Sequence, residues 1–312
     1  LLSIVSEIQQ FPHYVKPLVV YLSENFPDYE VLGQLLTNVV DSDRNEVTGD
    51  LIRELFEMAV EAVGLDIFTG ISIWQKYAEF ELDNFEDYLA HLKEDSSMDL
   101  RSLNKAKQNI TKVYLRQLSL PLVGNDSALT QFQEILSQYY SESDIDIIQP
   151  TTLETNFLGA SKMLEERLPF EMKIYDEAYR SLTKSEQLMI WEEYITFELR
   201  QNKVDRLNRL YERLLLQFSE DVEIWLAYCG CTLCFQHDFL LTTKVVKRGL
   251  MVHYYDLLLR RTLLLSINFR QIRLLESGLI HSKEQANVEI NSLRANFVET
   301  LAVGFSQAEE YL

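Results

Sequence analysis

Apolar residues recur at three- and four-residue steps over positions 51–63, 71–82, 105–118, 188–200, 204–218 and 224–235. This spacing predicts amphipathic helices and not strands, because one helical face returns every 3.6 residues. The polar breaks between them carry turn chemistry: 41–50 with Gly49, 64–70 between two glycines, 121–127 after Pro121, and 219–221. Helices of this length joined by short breaks imply stacked antiparallel hairpins. Two acidic stretches rich in Ser and Asp, 84–102 and 139–155, interrupt the rhythm and are expected to be insertions between helices.

A longer period lies over the short one. Trp191 to Trp225 is 34 positions, Leu259 lies another 34 on, and Tyr194, Tyr228 and Thr262 keep the same step. Trp74, Tyr77, Phe80 and Glu81 match Trp191, Tyr194, Phe197 and Glu198 position for position. On a helix the Trp, the Tyr three on and the Glu seven on fall within about 60° of one another, so they form one face. Neighbouring helices carry a second pattern: Arg53, Phe56, Glu57 and Ala59, then Tyr211, Glu212, Arg213 and Leu215. Tyr114 with Arg116, Val246 with Arg248, and Arg294 with Phe297 are worn copies of it. A hairpin in such an array cannot bury its apolar face alone, so a large aromatic inserts against the neighbouring repeat.

W-x-x-Y-x-x-F-E on one helix and Y-E-R on the next resemble the half-a-tetratricopeptide (HAT) repeat. The resemblance implies an all-α, right-handed superhelical solenoid of antiparallel hairpins, here one domain over 1–312. Its repeat-core positions would be Phe56, Trp74, Tyr77, Glu81, Trp191, Tyr194, Glu198, Tyr211, Trp225 and Tyr228. The order of segments, from Leu55–Gly64 through Trp74–Glu81, Arg116–Leu122 and Trp191–Glu198 to Tyr211–Leu215, is similar to the amino-terminal HAT array of the squamous carcinoma antigens recognised by T cells. Those proteins recycle the U4/U6 small nuclear RNP. What the resemblance implies is a nuclear scaffold without enzymatic activity, docking spliceosomal RNP proteins, with ubiquitin-specific proteases and histones as further partners. RNA would be bound by modules outside this chain; the full protein would dimerise through a later HAT half, and this chain would be monomeric. The alternative within the same fold is a scaffold subunit of a polyadenylation-cleavage or U1-associated splicing complex. The chain starts at Leu1 and not at Met, so a piece of a longer protein is expected.

Composition narrows the alternatives. Only 10 Gly and 6 Pro in 312 residues leave too few turn-formers for a many-turned sandwich or barrel, and an apolar share of 47% excludes wholesale disorder. With 29 basic against 48 acidic residues the net charge is −19, which phosphate backbones repel. The one basic-rich region, Lys244, Lys247, Arg248, Arg260, Arg261, Arg270 and Arg273, is the candidate for direct RNA contact over 244–273. Paired acids at Glu165 with Glu166 and at Glu192 with Glu193 could attract basic partners, though charge runs are chiefly solvated faces. The densest apolar run, 257–267, is split by Arg260 and Arg261 and is too short to span a membrane.

No catalytic, metal or cofactor site is expected. Glu81 and Glu198 share a face with aromatics, which could raise a carboxylate pKa, but recurrence in tandem copies points to a role in the stack. Cys231, Cys234 and His237 have metal-ligand letters, yet on a helix they fan over about 120° and lack a fourth ligand. The three cysteines, Cys229, Cys231 and Cys234, fall within six residues, are odd in number and read as thiols in a reducing compartment. Asp41, Asp43 and Asn45 begin like a calcium loop, but Glu46 stands where the Gly belongs and Ile52 where the bidentate Glu belongs. Gly-rich phosphate loops, nucleophile elbows and H-E-x-x-H are absent.

Overall fold

The computed structural model describes residues 14–25, 28–40, 48–94, 100–141 and 150–276. Among them are twelve α-helices and no strand. In chain order they are α1 (Val15–Asn25), α2 (Tyr29–Val40), α3 (Gly49–Val63), α4 (Gly70–Glu94), α5 (Leu100–Leu118) and α6 (Asn125–Tyr139). There follow α7 (Pro150–Tyr175), α8 (Lys184–Gln201), α9 (Val204–Phe218), α10 (Val222–Gly230), α11 (Phe239–Val252) and α12 (Leu257–Glu276). The fold class is therefore all-α. No helix among the described residues is long and apolar enough to cross a membrane.

Where one domain over 1–312 is expected, the chain divides into two compact units, Leu1–Ile190 and Trp191–Leu312. In the first, α1 and α2 pack on α3, α2 also reaches α4, α4 pairs with α5, and α5 receives α6 and α7. In the second, α9, α10, α11 and α12 pack in succession, and α10 also touches α12.

The helices form where the apolar steps place them. In α3 the buried residues Ile52, Leu55, Phe56, Ala59, Val60, Ala62 and Val63 make one stripe, and Thr48 caps the start by accepting from the Leu51 amide. In α9 the stripe is Leu207, Leu210, Tyr211, Leu214 and Leu215. Asp238 and Asp256 cap α11 and α12 through the Leu241 and Leu259 amides at 2.9 and 2.8 Å. Thr183 and Glu186 form a capping box before α8: the Glu186 carboxylate accepts from the Thr183 amide at 2.8 Å, and the Thr183 hydroxyl accepts from the Glu186 amide at 3.4 Å.

Two expectations are corrected here. Residues 84–94 are no insertion but the continuation of α4, and 100–102 open α5; positions 95–99 lie outside the described residues. Acidic side chains on the outer face left the helical step intact, and Phe85 is buried, edge-on to Tyr139 at 5.2 Å. Of the 139–155 stretch, Tyr139 ends α6 and 150–155 begin α7, while 142–149 lie outside the described residues. The second correction concerns 224–235: α10 stops at Gly230 and passes into a π turn, Cys231–Phe235, closed by the Gln236 amide on the Cys231 carbonyl at 3.1 Å. The Asp41, Asp43 and Asn45 loop also lies outside the described residues.

Close approach to the repeat tryptophan fixes a glycine in the second unit. A Cβ on Gly249 of α11 would stand 3.1 Å from the Trp225 ring, which is held at its far edge by a hydrogen bond. Gly249→Val is expected to destabilise the second unit by about 1–3 kcal/mol through overpacking, read as a lower denaturant midpoint with unchanged slope.

Candidate functional site

The repeat residues build the same clamp in both units. In the first, the Trp74 indole N–H donates to the Gly64 carbonyl at the end of α3, at 3.0 Å. The Arg116 guanidinium, carried by α5, lies over the Trp74 ring at 5.1 Å and donates to Glu57 Oε1 at 2.6 Å. The Tyr77 hydroxyl donates to the same Glu57 oxygen at 3.1 Å, while its ring stacks on Phe56 with centroids 4.8 Å apart and planes 1° from parallel. Three consecutive packed helices are thus tied by one aromatic, one carboxylate and one guanidinium.

In the second unit the Trp225 indole N–H donates to the Ser219 carbonyl after α9 at 2.8 Å. Arg248 from α11 lies over the Trp225 ring at 5.6 Å and makes a two-pronged pair with Glu212, both bonds 2.8 Å. Tyr228 stacks on Tyr211 at 4.9 Å and 7°, and hydrogen-bonds Glu212. Trp191 is covered in the same way by Arg213 at 5.4 Å. Of the ten sequence-named positions, six form the two clamps, Phe56–Trp74–Tyr77 and Tyr211–Trp225–Tyr228; Trp191, Tyr194 and Glu198 are buried in the second unit and Glu81 in the first. Glu57, Arg116, Glu212, Arg248 and Arg213 complete the set. Their letters belong to the second-helix pattern, but nothing local says which arginine meets which glutamate.

The two acids at the seventh position differ from what an acid–base group needs. Glu81, with its side chain 1% exposed, accepts from Arg53 Nε at 2.7 Å, Arg53 Nη2 at 3.0 Å and Asn109 Nδ2 at 3.3 Å. Glu198 is buried at the matching place on α8. In the third copy that place is Thr232, inside the π turn. There the charged cluster gives way to neutral bonds: Thr242 to Thr232 at 2.9 Å, and Gln236 to Asn208 at 2.7 Å. Asn208 stands where Arg53 stands, four residues before the clamp glutamate. The loss of the carboxylate and the loss of its arginine go together, as removing either alone would leave a buried charge.

Electrostatics in the clamps serve holding. Burial pushes the Glu57 carboxyl up, but the Arg116 guanidinium and the Tyr77 hydroxyl outweigh it and hold it below the ordinary carboxylate range. The hydrogen bond to Glu81 raises the Arg53 guanidinium against the opposing effect of burial. Burial raises Tyr77 and Tyr228 and takes Tyr211 to about 12. The Cys229 thiol is likewise pushed up to about 12 by burial, away from the thiolate. Because Glu57 has a depressed folded pKa, its contribution is present above the unfolded glutamate range and is lost as pH falls through the folded value. Half-exposed pairs are worth about 0.2–1 kcal/mol, so Glu57→Gln is expected to cost that much at pH 7 and nothing at pH 2, measured by urea unfolding at both.

The other candidates disperse. Cys231 is buried and Cys234 exposed, so with His237, whose φ is 57°, they do not converge. Among the described residues no group of three His, Cys, Asp or Glu side chains is placed to hold a metal. In the basic region Arg248 is committed to Glu212 and Trp225, and Arg260 to the Tyr254 carbonyl. Lys244, Lys247 and Arg261 are exposed, and the side chains of Arg270 and Arg273 lie outside the described residues. Glu165, Glu166, Glu192 and Glu193 are exposed on α7 and α8. Arg294 and Phe297 lie outside the described residues.

A Trp pinned to the preceding helix end, roofed by an arginine from the following helix, defines a class of helical-repeat proteins whose side chains hold one hairpin to the next. Residues 165–276 match the family model of the PRP39 C-terminal HAT repeat. It is similar to the human spliceosome associated factor 3, U4/U6 recycling protein, at 23% identity over 267 residues, covering 84% of this chain and 22% of that protein. It is also similar to human crooked neck-like protein 1, at 26% identity over 224 residues, 72% of this chain and 23% of that one. The pre-mRNA-splicing factor CLF1 of Kluyveromyces lactis is 24% identical over 184 residues, 56% of this chain and 24% of that protein. The chain thus spans less than a quarter of the length of these relatives.

Proposed function

We propose that this chain is a protein-docking scaffold in pre-mRNA splicing, acting in U4/U6 RNP recycling within the nucleus, and that it is not an enzyme. The observation that carries the reading is how the clamps use their chemistry. Trp74, Tyr77, Glu57, Arg116 and their counterparts in the second unit are spent on holding helix to helix. Partner choice then falls to the variable outward residues, as in repeat arrays generally. Similarity to splicing proteins over most of the chain supports the process. The repeat-core positions named from sequence, Phe56 to Tyr228, serve the stack and not a reaction.

The partners we propose are spliceosomal RNP proteins, with ubiquitin-specific proteases and histones next. RNA would be held by modules elsewhere in the full protein, near the partners this array docks, so that the mechanism is multivalent tethering. This chain would be monomeric. The test is capture from nuclear extract at physiological salt with the chain as bait and mass-spectrometric identification. Recovery of U4/U6 RNP proteins supports the recycling role. Recovery of other splicing complexes alone moves the function to a general splicing scaffold, a reading the crooked neck similarity favours; RNA captured after protein removal, with steep salt dependence, overturns it in favour of direct RNA binding.

A further inference from the structure

Helix α5 carries five basic residues, Arg101, Lys105, Lys107, Lys112 and Arg116, and no acid, within a chain whose net charge is −19. Two of the five are spent inside the first unit: Arg116 on Glu57 and Trp74, and Lys107 over the Tyr140 ring at 5.0 Å. The other three, Arg101, Lys105 and Lys112, are exposed. On a helix they fall within about 40° of one another, with the exposed amides of Asn104 and Gln108 along one border. The face turns away from the buried stripe of Ala106, Ile110, Val113, Tyr114 and Gln117. Spread along the chain with other residues between them, these charges do not read as a basic run; the helix gathers them. They also work against that helix. Arg101 stands in the first turn, where the helix dipole disfavours a cation, and Lys105 is a like charge one turn on. Lys105 and Lys112 enter no ion pair among the described residues; Lys112 reaches Glu57 only through the field that helps to hold that carboxyl low.

We propose that the exposed face of α5 docks an acidic segment of a partner protein in extended form, its carboxylates answering Arg101, Lys105 and Lys112. From Arg101 to Lys112 the helix rises about 16 Å, the span of about five extended residues. Asn104 and Gln108 donate and accept as a peptide group does, and so suit the backbone of such a segment. A nucleic acid fits this face less well. Its charge continues at every phosphate, and beyond the stripe it meets a surface where acids dominate, such as Glu79, Asp83 and Glu86, exposed on the packed neighbour α4. An acidic peptide confines its charge to the stripe. The inference rests on the docking reading, but its test needs no nuclear partner, so that either can fail alone.

Fluorescence anisotropy of the 312-residue chain with a short labelled peptide of alternating Glu and Ser tests it, beside the same peptide with Gln for Glu and a uridine oligonucleotide of equal length. The Glu/Ser peptide is expected to bind, and Lys105→Glu with Lys112→Glu to weaken it at least about tenfold, since like charges then face each other. Lys244→Glu with Lys247→Glu, on α11, removes as much positive charge from another exposed place and is expected to leave binding unchanged. Circular dichroism and urea unfolding check that the variants fold; Lys105→Gln with Lys112→Gln takes over should the reversal lower helicity. Absence of binding by the Glu/Ser peptide overturns the proposal, as when the chain's own acids fill the face. So do equal losses from the α5 and α11 reversals, or equal binding by the Gln peptide. Tighter binding by the oligonucleotide overturns it too, and assigns the face to RNA.

Discussion

Arg53→Ala is expected to destabilise the first unit by about 3 kcal/mol, because it strands the Glu81 carboxylate in a site where water barely reaches it. Arg53 supplies two of the three hydrogen bonds that Glu81 accepts; Asn109, at 3.3 Å, is the weak remainder. The loss comes from the orphaned acid and not from the vanished arginine. Removing the charge should therefore restore much of it: Arg53→Ala with Glu81→Gln is expected to regain about half of the single-variant loss, a coupling that a double-mutant cycle reads directly. The third copy of the repeat supplies the natural precedent, with Asn208 and Thr232 at these two places accepting neutral bonds from Gln236 and Thr242. If the double variant is no more stable than Arg53→Ala, the buried charge is not what the arginine is there to answer. Urea unfolding of the four proteins, with hydrogen exchange over α3 and α4, gives the comparison.

Trp225→Ala is expected to cost the second unit about 3–5 kcal/mol, the range for emptying a buried aromatic site. The ring fills the space between the end of α9 and Gly249 of α11, and Arg248 loses the surface it lies on. Exchange protection should fall in α9, α10 and α11 together, since all three meet at this side chain. Trp225→Phe separates packing from hydrogen bonding: it keeps an aromatic ring but not the indole N–H, and should cost about 1 kcal/mol more than the lost ring volume alone explains. That increment is small because the Ser219 carbonyl keeps a second partner in His253 Nε2 at 3.0 Å. Loss of protection confined to α10 would show that the tryptophan stabilises its own helix and is no tie between hairpins.

Much of this architecture is legible along the chain. The stripes of α3 and α9 announce themselves, as do the recurring Trp, Tyr and Glu, because a helix and a repeat both write their periods into the sequence. The region 84–94 is harder, since Asp83, Glu86 and Asp87 look like a loop until Phe85 is seen packing on Tyr139. A polar outer face and a polar loop have the same letters; only the buried partner tells them apart. The π turn at Cys231–Phe235 leaves no local trace either, for it adds one residue to a turn without changing the kind of residue present.

By itself, then, the sequence determined the helical class, from spacing within a dozen residues, and the repeat with its aromatic positions, from recurrence at a 34-residue step. The pairing of charges was decided only by the tertiary structure. Glu57 meets Arg116 across 59 residues, Glu212 meets Arg248 across 36, and Glu81 meets Arg53 across 28. Any arginine in the chain could pair with any glutamate on charge alone. Packing selects among them: for Glu57 and Glu212 the helix that follows the tryptophan carries one guanidinium to the point where ring face and carboxylate can be reached together, and for Glu81 the preceding helix α3 brings Arg53.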